Sequence, residues 1–198
     1  MEKKLSKGKW SVRQIAYWAW IAGIVVVGCA YLMSPDMLSP GKIVAFVRTF
    51  EGEMLFVYIA ASFIRGFFLI PSTPFVLGGA MLFPDQLFLV LAISMAGIMF
   101  SASLLYYFSD ALGFSRHLAT KAPEKVVLWK DKLKRPRAIF LVVGWSFFPF
   151  VPTDMVCYVA GIVRMPFRNL FIGVFLGELT LVIFYVYFGQ GIFEFVLG

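Results

Sequence analysis

Two stretches of this chain interrupt an apolar run in nearly the same way. The first reads Arg65-Gly66-Phe67-Phe68-Leu69-Ile70-Pro71-Ser72-Thr73-Pro74 and continues to Gly78-Gly79 and Phe83-Pro84. The second reads Ser146-Phe147-Phe148-Pro149-Phe150-Val151-Pro152-Thr153-Asp154 and continues to Ala160-Gly161 and Met165-Pro166. Pro71 corresponds to Pro152. After a one-residue gap, Gly79 corresponds to Gly161 and Pro84 to Pro166. A proline inside an apolar helix removes one backbone donor and frees a carbonyl, which bare hydrocarbon cannot satisfy. Two such breaks at corresponding places of two half-proteins point to a polar site between repeats.

The surroundings are those of a membrane. Of 198 residues 61% are hydrophobic and 15% charged, and the mean hydropathy is +0.85; a soluble domain carries about 25% charged residues. One membrane domain therefore takes up residues 1–198, with no room for a soluble catalytic domain. The net charge of +7 is concentrated in two places. Lys3, Lys4, Lys7, Lys9 and Arg13 crowd the basic tail, residues 1–14, and eight Lys and Arg fall between Arg116 and Arg137. Short basic flanks of this kind stay in the cytoplasm and meet anionic headgroups, so nucleic acid is not the expected partner. Cys29 and Cys157 both lie in apolar stretches, which argues against a disulfide. Val26-Val27-Gly28-Cys29 faintly resembles a lipoprotein cleavage site, but the long segment before it, rich in tryptophan (Trp10, Trp18, Trp20), reads as a retained anchor.

The expected fold is an all-α polytopic membrane protein. Residues 15–33 form a first span, 86–108 a second and 169–193 the last, while 109–137 make a basic cytoplasmic segment in which Pro123 opens a surface helix. Residues 43–50 form a short interfacial helix with Ile43, Val44, Phe46, Val47 and Phe50 on its apolar face. If both basic segments are cytoplasmic, residues 14–109 cross an even number of times. The spans 15–33 and 86–108 already supply two crossings, so 54–84 enters and leaves on one face as a re-entrant hairpin. By the repeat, 138–165 forms the opposing hairpin, giving an inverted repeat of two re-entrant hairpins, each followed by a transmembrane helix. Splitting each broken stretch into two full spans satisfies the same parity.

From Gly144-Trp145 through Pro149, Pro152-Thr153-Asp154 and Ala160-Gly161 to Met165-Pro166-Phe167-Arg168 and Gly177-Glu178, the chain resembles the DedA and VTT-domain superfamily, the SNARE-associated Golgi protein group. Arg65 through Pro71, Pro74 and Gly78-Gly79 resembles that family's first hairpin, and the likeness runs over roughly residues 50–190. It implies opposed re-entrant hairpins and a role in moving lipids across the bilayer. Bacterial members are linked to undecaprenyl phosphate recycling and proton-coupled membrane homeostasis, and eukaryotic relatives to phospholipid scrambling. The family pattern places an arginine three residues before Pro149, where this chain has Ser146.

Ionisable groups inside spans cost roughly 2.5–3.5 kcal/mol each at mid-helix and usually face a cavity or partner. Arg65, Asp154 and Glu178 are such groups. Arg65 offers a fork of donors matched to phosphate oxygens. Asp154 is its expected counter-ion when the site is empty, and a permanent Arg65–Asp154 bridge that only locks the hairpins is the competing reading. Burial favours the protonated form of a carboxylic acid, so Glu178, in Gly177-Glu178 near the start of the last span, leads the candidates for proton exchange, with Asp154, Glu51 and Glu53 behind it. Pro71, Pro74, Pro149, Pro152, Gly78, Gly79 and Gly161 are expected to free backbone groups at the hairpin tips, where amides attract phosphate. Arg164 and Arg168 bracket Met165-Pro166 and are placed to hold headgroups on the cytoplasmic side, though snorkelling serves equally. Gly97, Gly113, Gly173 and Gly177 are expected to permit close helix packing.

With His117 the lone histidine, no metal cluster is expected, and no catalytic residue or cofactor. The expected function is translocation of an anionic lipid or polyprenyl phosphate between leaflets, by an integral protein of a bacterial plasma membrane with its N-terminus in the cytoplasm. A small-solute or ion transporter and a non-transporting scaffold are the alternatives, and homo-oligomerisation stays open.

Overall fold

The computed structural model describes residues 12–111, 133, 135, 137–148 and 152–197. The tail before Val12, most of the basic segment (with Gly113, His117 and Pro123), and Pro149 lie outside the described residues. Every regular element described is helical: α1 (Val12–Met33), α2 (Pro40–Arg48), α3 (Met54–Ile64), α4 (Thr73–Leu82), α5 (Leu87–Ala111), α6 (Ala138–Phe147), α7 (Thr153–Ile162) and α8 (Phe167–Leu197). Among the described residues two helical stretches are long and apolar enough to cross a bilayer, Pro84–Ser109 and Phe167–Gly189. The protein is an integral membrane protein.

Prolines punctuate this order by starting helices rather than kinking them. Pro40 and Pro74 occupy the first turns of α2 and α4, and Pro152 caps α7. Proline's fixed φ suits that position, and its missing N–H lies among donors that no helix can use. The first interruption therefore falls between Arg65 and Ser72. There a 3-10 turn, Arg65–Phe68, ends on Leu69 in the left-handed region (φ 58). The amide of Ile70 closes the turn onto Arg65 O at 3.1 Å, the hydrogen-bond pattern of a helix stop usually given to glycine.

The two halves pack alike. In each, the helix before the break lies on the long helix that follows it: α3 on α5, and α6 on α8. The helix after the break crosses to the other half's long helix: α4 on α8, and α7 on α5. The long helices α5 and α8 also contact each other. Small residues permit this closeness. A Cβ on Gly97 would come 2.8 Å from Ser62 O, and one on Gly177 would come 2.7 Å from Val143 O, as the sequence led one to expect of both.

Three expectations need correcting. Gly78, Gly79 and Gly161 fall inside α4 and α7 rather than at a hairpin tip. Their role is contact: Gly78 admits Ile43 of α2, Gly79 lies under the Tyr58 hydroxyl, and Gly161 abuts Ser109 and Tyr106 of α5. The short helix before α3 buries Ile43, Val44 and Val47 against α4, but Phe46 and Phe50 stay exposed, ring to ring at 5.3 Å. Ile43 on the inner face of α2 packs at Gly78, and Phe46 lies on the outer face. Finally, Glu178 is not near the start of the last span. It lies at the centre of the apolar stretch Phe167–Gly189, about 17 Å along α8 at 1.5 Å per residue.

Candidate functional site

The elements just described converge on a cavity of about 110 Å³ between the two breaks. Corresponding residues of the two halves line it in consecutive pairs: Pro71 with Pro152, Ser72 with Thr153, Thr73 with Asp154. Arg65 enters from the first break and Glu178 from α8, while Val76, Ile98, Leu181, Val182, Phe148 and Tyr185 close the rest of the wall. The geometry follows from the crossed packing. Because α4 lies on α8 and α7 on α5, both breaks are drawn to the contact between the long helices.

The charged residues are deeply withdrawn. Arg65 is 4% exposed, Glu178 4% and Asp154 9%. Arg65 Nη1 donates to Ile70 O at 3.0 Å, which ties the guanidinium to its own turn. The Thr153 hydroxyl donates to Glu178 Oε1, joining the first turn of α7 to the middle of α8. Asp154 stands in that same first turn, where the unpaired amides of a helix start favour negative charge. Arg65 is within electrostatic range of both carboxylates. Among the described residues, however, no ion pair within 4.0 Å joins it to either. A cation and two acids thus share one wall without being locked in direct contact.

Other named residues lie elsewhere. Pro74 is in the first turn of α4 but outside the cavity wall. Glu51 and Glu53 sit on an exposed turn, and Glu53 borders a shallow depression with Gly52 and Leu55. Arg164 ends α7 in the left-handed region (φ 55), and Arg168 is exposed on α8; neither reaches the cavity. Gly79 and Gly161 sit at helix contacts, as above, and Pro149 lies outside the described residues. Among the described residues no group of three or more His, Cys, Asp or Glu is arranged to hold a metal ion.

Sequence reasoning missed Ser72, Thr73, Thr153 and Tyr185. The signal for the first three was present. Once Pro71 is laid on Pro152, the next two positions pair Ser72 with Thr153 and Thr73 with Asp154, all polar in an apolar run. Tyr185 carries no such mark, since it is one aromatic among many in α8.

A polar pair also lies between α3 and α5. The buried Tyr58 hydroxyl meets Ser94 Oγ at 3.1 Å, which satisfies both groups away from water. The hydroxyls of Ser62 and Ser146 are buried without a hydrogen-bond partner. Each stands on the helix before a break, where it faces the close approach of Gly97 or Gly177.

Comparison with known proteins now adds to the geometry. Residues 70–191 match the VTT domain family model. Transmembrane protein 41B from human is 31% identical over 149 residues, 72% of this chain and 49% of that protein. Its chicken counterpart is 31% identical over the same length, covering 53% of the relative. The chain spans about half the length of the curated relatives it matches. No solved structure matches it.

Proposed function

We infer that this chain, which belongs to the VTT-domain family, moves an anionic lipid or polyprenyl phosphate between the leaflets of its membrane. The observation that carries the reading is the lining of one buried cavity by corresponding residues of both breaks, with Arg65, Asp154 and Glu178 in its wall. Buried ionisable groups in apolar helices are costly and mark pathways or partners. Here Arg65 and Asp154 sit at the ends of half-length helices, and Glu178 faces the same cavity from the middle of α8.

The broken stretches are re-entrant hairpins entering from opposite leaflets. Each of α4, α6 and α7 has 10 residues, about 15 Å of helix against a hydrocarbon core about 30 Å thick. Such an arm reaches the midplane and no further. The cavity has the volume of about three or four waters, so in this conformation it takes a group of a few heavy atoms. The lipid's phosphate enters it while the acyl or prenyl chains stay in the bilayer. Arg65 replaces phosphate hydration with a planar fork of donors. Asp154 and Glu178 balance Arg65 when phosphate is away, and Glu178, held by Thr153, is the carboxylate placed to exchange a proton. The work is binding and passage, with no covalent change in the lipid.

The setting is a bacterial plasma membrane, with the N-terminus in the cytoplasm. A cysteine placed at Ser72 is expected to resist impermeant thiol reagents from either side. Labelling there from the face opposite Glu53 overturns the hairpin. In vesicles containing only this protein, a tail-labelled anionic lipid is expected to equilibrate between leaflets faster than in empty vesicles. No acceleration, with partner proteins co-purifying, supports the scaffold instead. Movement of a soluble anion without lipid movement supports a small-solute transporter.

A further inference from the structure

Pro71 leaves a specific debt in the backbone. In a continuous helix the carbonyl of Phe67 would accept from the amide four residues on, and that residue is Pro71, which has none. The orphaned carbonyl is answered from another element. The indole Nε1–H of Trp20, on α1, donates to Phe67 O at 2.8 Å.

Trp20 is also the one residue of α1 that is buried, among those whose side chains are described. Its ring meets Phe108 of α5 edge-on at 5.1 Å, Phe67 at 6.4 Å, and Tyr158 of α7 at 6.1 Å. Beyond the turn that follows it, α1 contacts the rest of the protein mainly through Arg65–Phe68. That 3-10 turn carries the guanidinium of the site. Trp20 lies before the matched domain, residues 70–191.

We propose that Trp20 is a positioning residue: its indole N–H holds the Arg65 turn closed and so fixes where the guanidinium meets the lipid phosphate. This rests on the lipid-moving reading for its consequence, but the clasp itself can be tested without it. An unpaired carbonyl at the break is a costly state, and the turn reduces that cost by opening to water or to other donors. Arg65 Nη1 is tied to Ile70 O inside the same turn, so an open turn carries the guanidinium with it. The functional unit then includes a side chain from α1, outside the matched domain.

The test uses the full-length protein in lipid nanodiscs and in vesicles. Trp20→Phe keeps an aromatic ring and removes the donor. In hydrogen exchange, the amides of Leu69 and Ile70 are expected to exchange about tenfold faster in Trp20→Phe, the equivalent of one lost buried hydrogen bond, with α5 and α8 unchanged. Unaltered exchange at those two amides overturns the clasp. In vesicles, the ratio of anionic to zwitterionic lipid movement is expected to fall several-fold in Trp20→Phe, as in Arg65→Lys. A fall of both rates by one common factor, with the ratio kept, means Trp20 only anchors α1 and overturns the positioning role. Phe108→Leu loosens the same aromatic cluster without touching the hydrogen bond and should leave the ratio unchanged. Should Trp20→Phe fail to fold, Trp20→His and Trp20→Leu make the same comparison, since only His keeps a ring N–H; equal exchange in the two overturns the proposal. Wild-type protein that moves no lipid removes the transport reading and leaves the clasp to be judged by exchange alone.

Discussion

The break between α3 and α4 and the break between α6 and α7 occupy corresponding places in the two halves and differ in charge. In both, the two residues after Pro71 or Pro152, Ser72-Thr73 or Thr153-Asp154, open the next helix and face the cavity. The first half supplies the cation, Arg65. The second supplies both acids, Asp154 directly and Glu178 through α8. At the position corresponding to Arg65 the second half has Ser146, buried and packed against Gly177. The two halves therefore match in their helix contacts but not in their chemistry. One cation facing two acids cannot be built from either half alone.

The largest test of that division is Arg65→Gln, which leaves two carboxylates in the cavity without their cation. Removing one partner of a buried charge set costs about 3–5 kcal/mol. The expected outcome is a drop of that size in unfolding free energy in detergent and lipid movement at background. Wild-type stability in this variant would mean that the halves do not balance each other's charge.

Next in size is the contrast between corresponding glycines. A Cβ at Gly161 would lie 2.3 Å from the backbone oxygen of Tyr106, whereas one at Gly79 would meet the tip of the Tyr58 side chain. Backbone cannot yield as a side chain can. Overpacking costs about 1–3 kcal/mol, so Gly161→Ala is expected at the top of that range and Gly79→Ala near the bottom, measured by thermal unfolding. Equal costs would erase the difference between the two contacts.

A smaller effect separates Ser72 from Thr153. The Thr153 hydroxyl donates to Glu178, while Ser72 makes no side-chain cap at the start of α4. Hydrogen bonds to charged groups are worth about 1.5–3 kcal/mol. Thr153→Val should lose stability on that scale and alter lipid movement, and Ser72→Ala should change stability by about 0.5 kcal/mol or less. Small and opposite in sign are Ser62→Ala and Ser146→Ala. Each deletes a buried hydroxyl without a partner, so each is expected to be neutral or stabilising by about 1 kcal/mol. A loss of stability in one alone would reveal a bond made by that half and not the other.

Much of this plan was legible in the chain. The prolines placed the breaks within a few residues because a missing amide acts locally, whatever surrounds it. Arg65, Asp154 and Glu178 stood out because charges in apolar runs must find company. The glycines were harder. Gly97 and Gly177 read correctly as packing residues, whereas Gly78, Gly79 and Gly161 were drawn to the tips by their neighbouring prolines, though they serve contacts with α2, α3 and α5. Trp20 read as one of several tryptophans in an N-terminal anchor. Nothing local distinguishes it from Trp18, which is exposed, because its role depends on a carbonyl 47 residues away.

The sequence by itself determined the solvent this protein lives in, the place of the breaks at Pro71 and Pro152, and which side chains cannot stay unpaired there. Those follow from hydropathy, from proline's missing N–H and from the desolvation of charge, all properties of short stretches. Only the tertiary structure decided that α4 and α7 each cross to the opposite long helix. That crossing gathers one cation and two acids around a shared cavity and brings a tryptophan of α1 to the carbonyl that Pro71 leaves unpaired. These depend on close approach between distant segments, and no local pattern encodes which distant segment will be near.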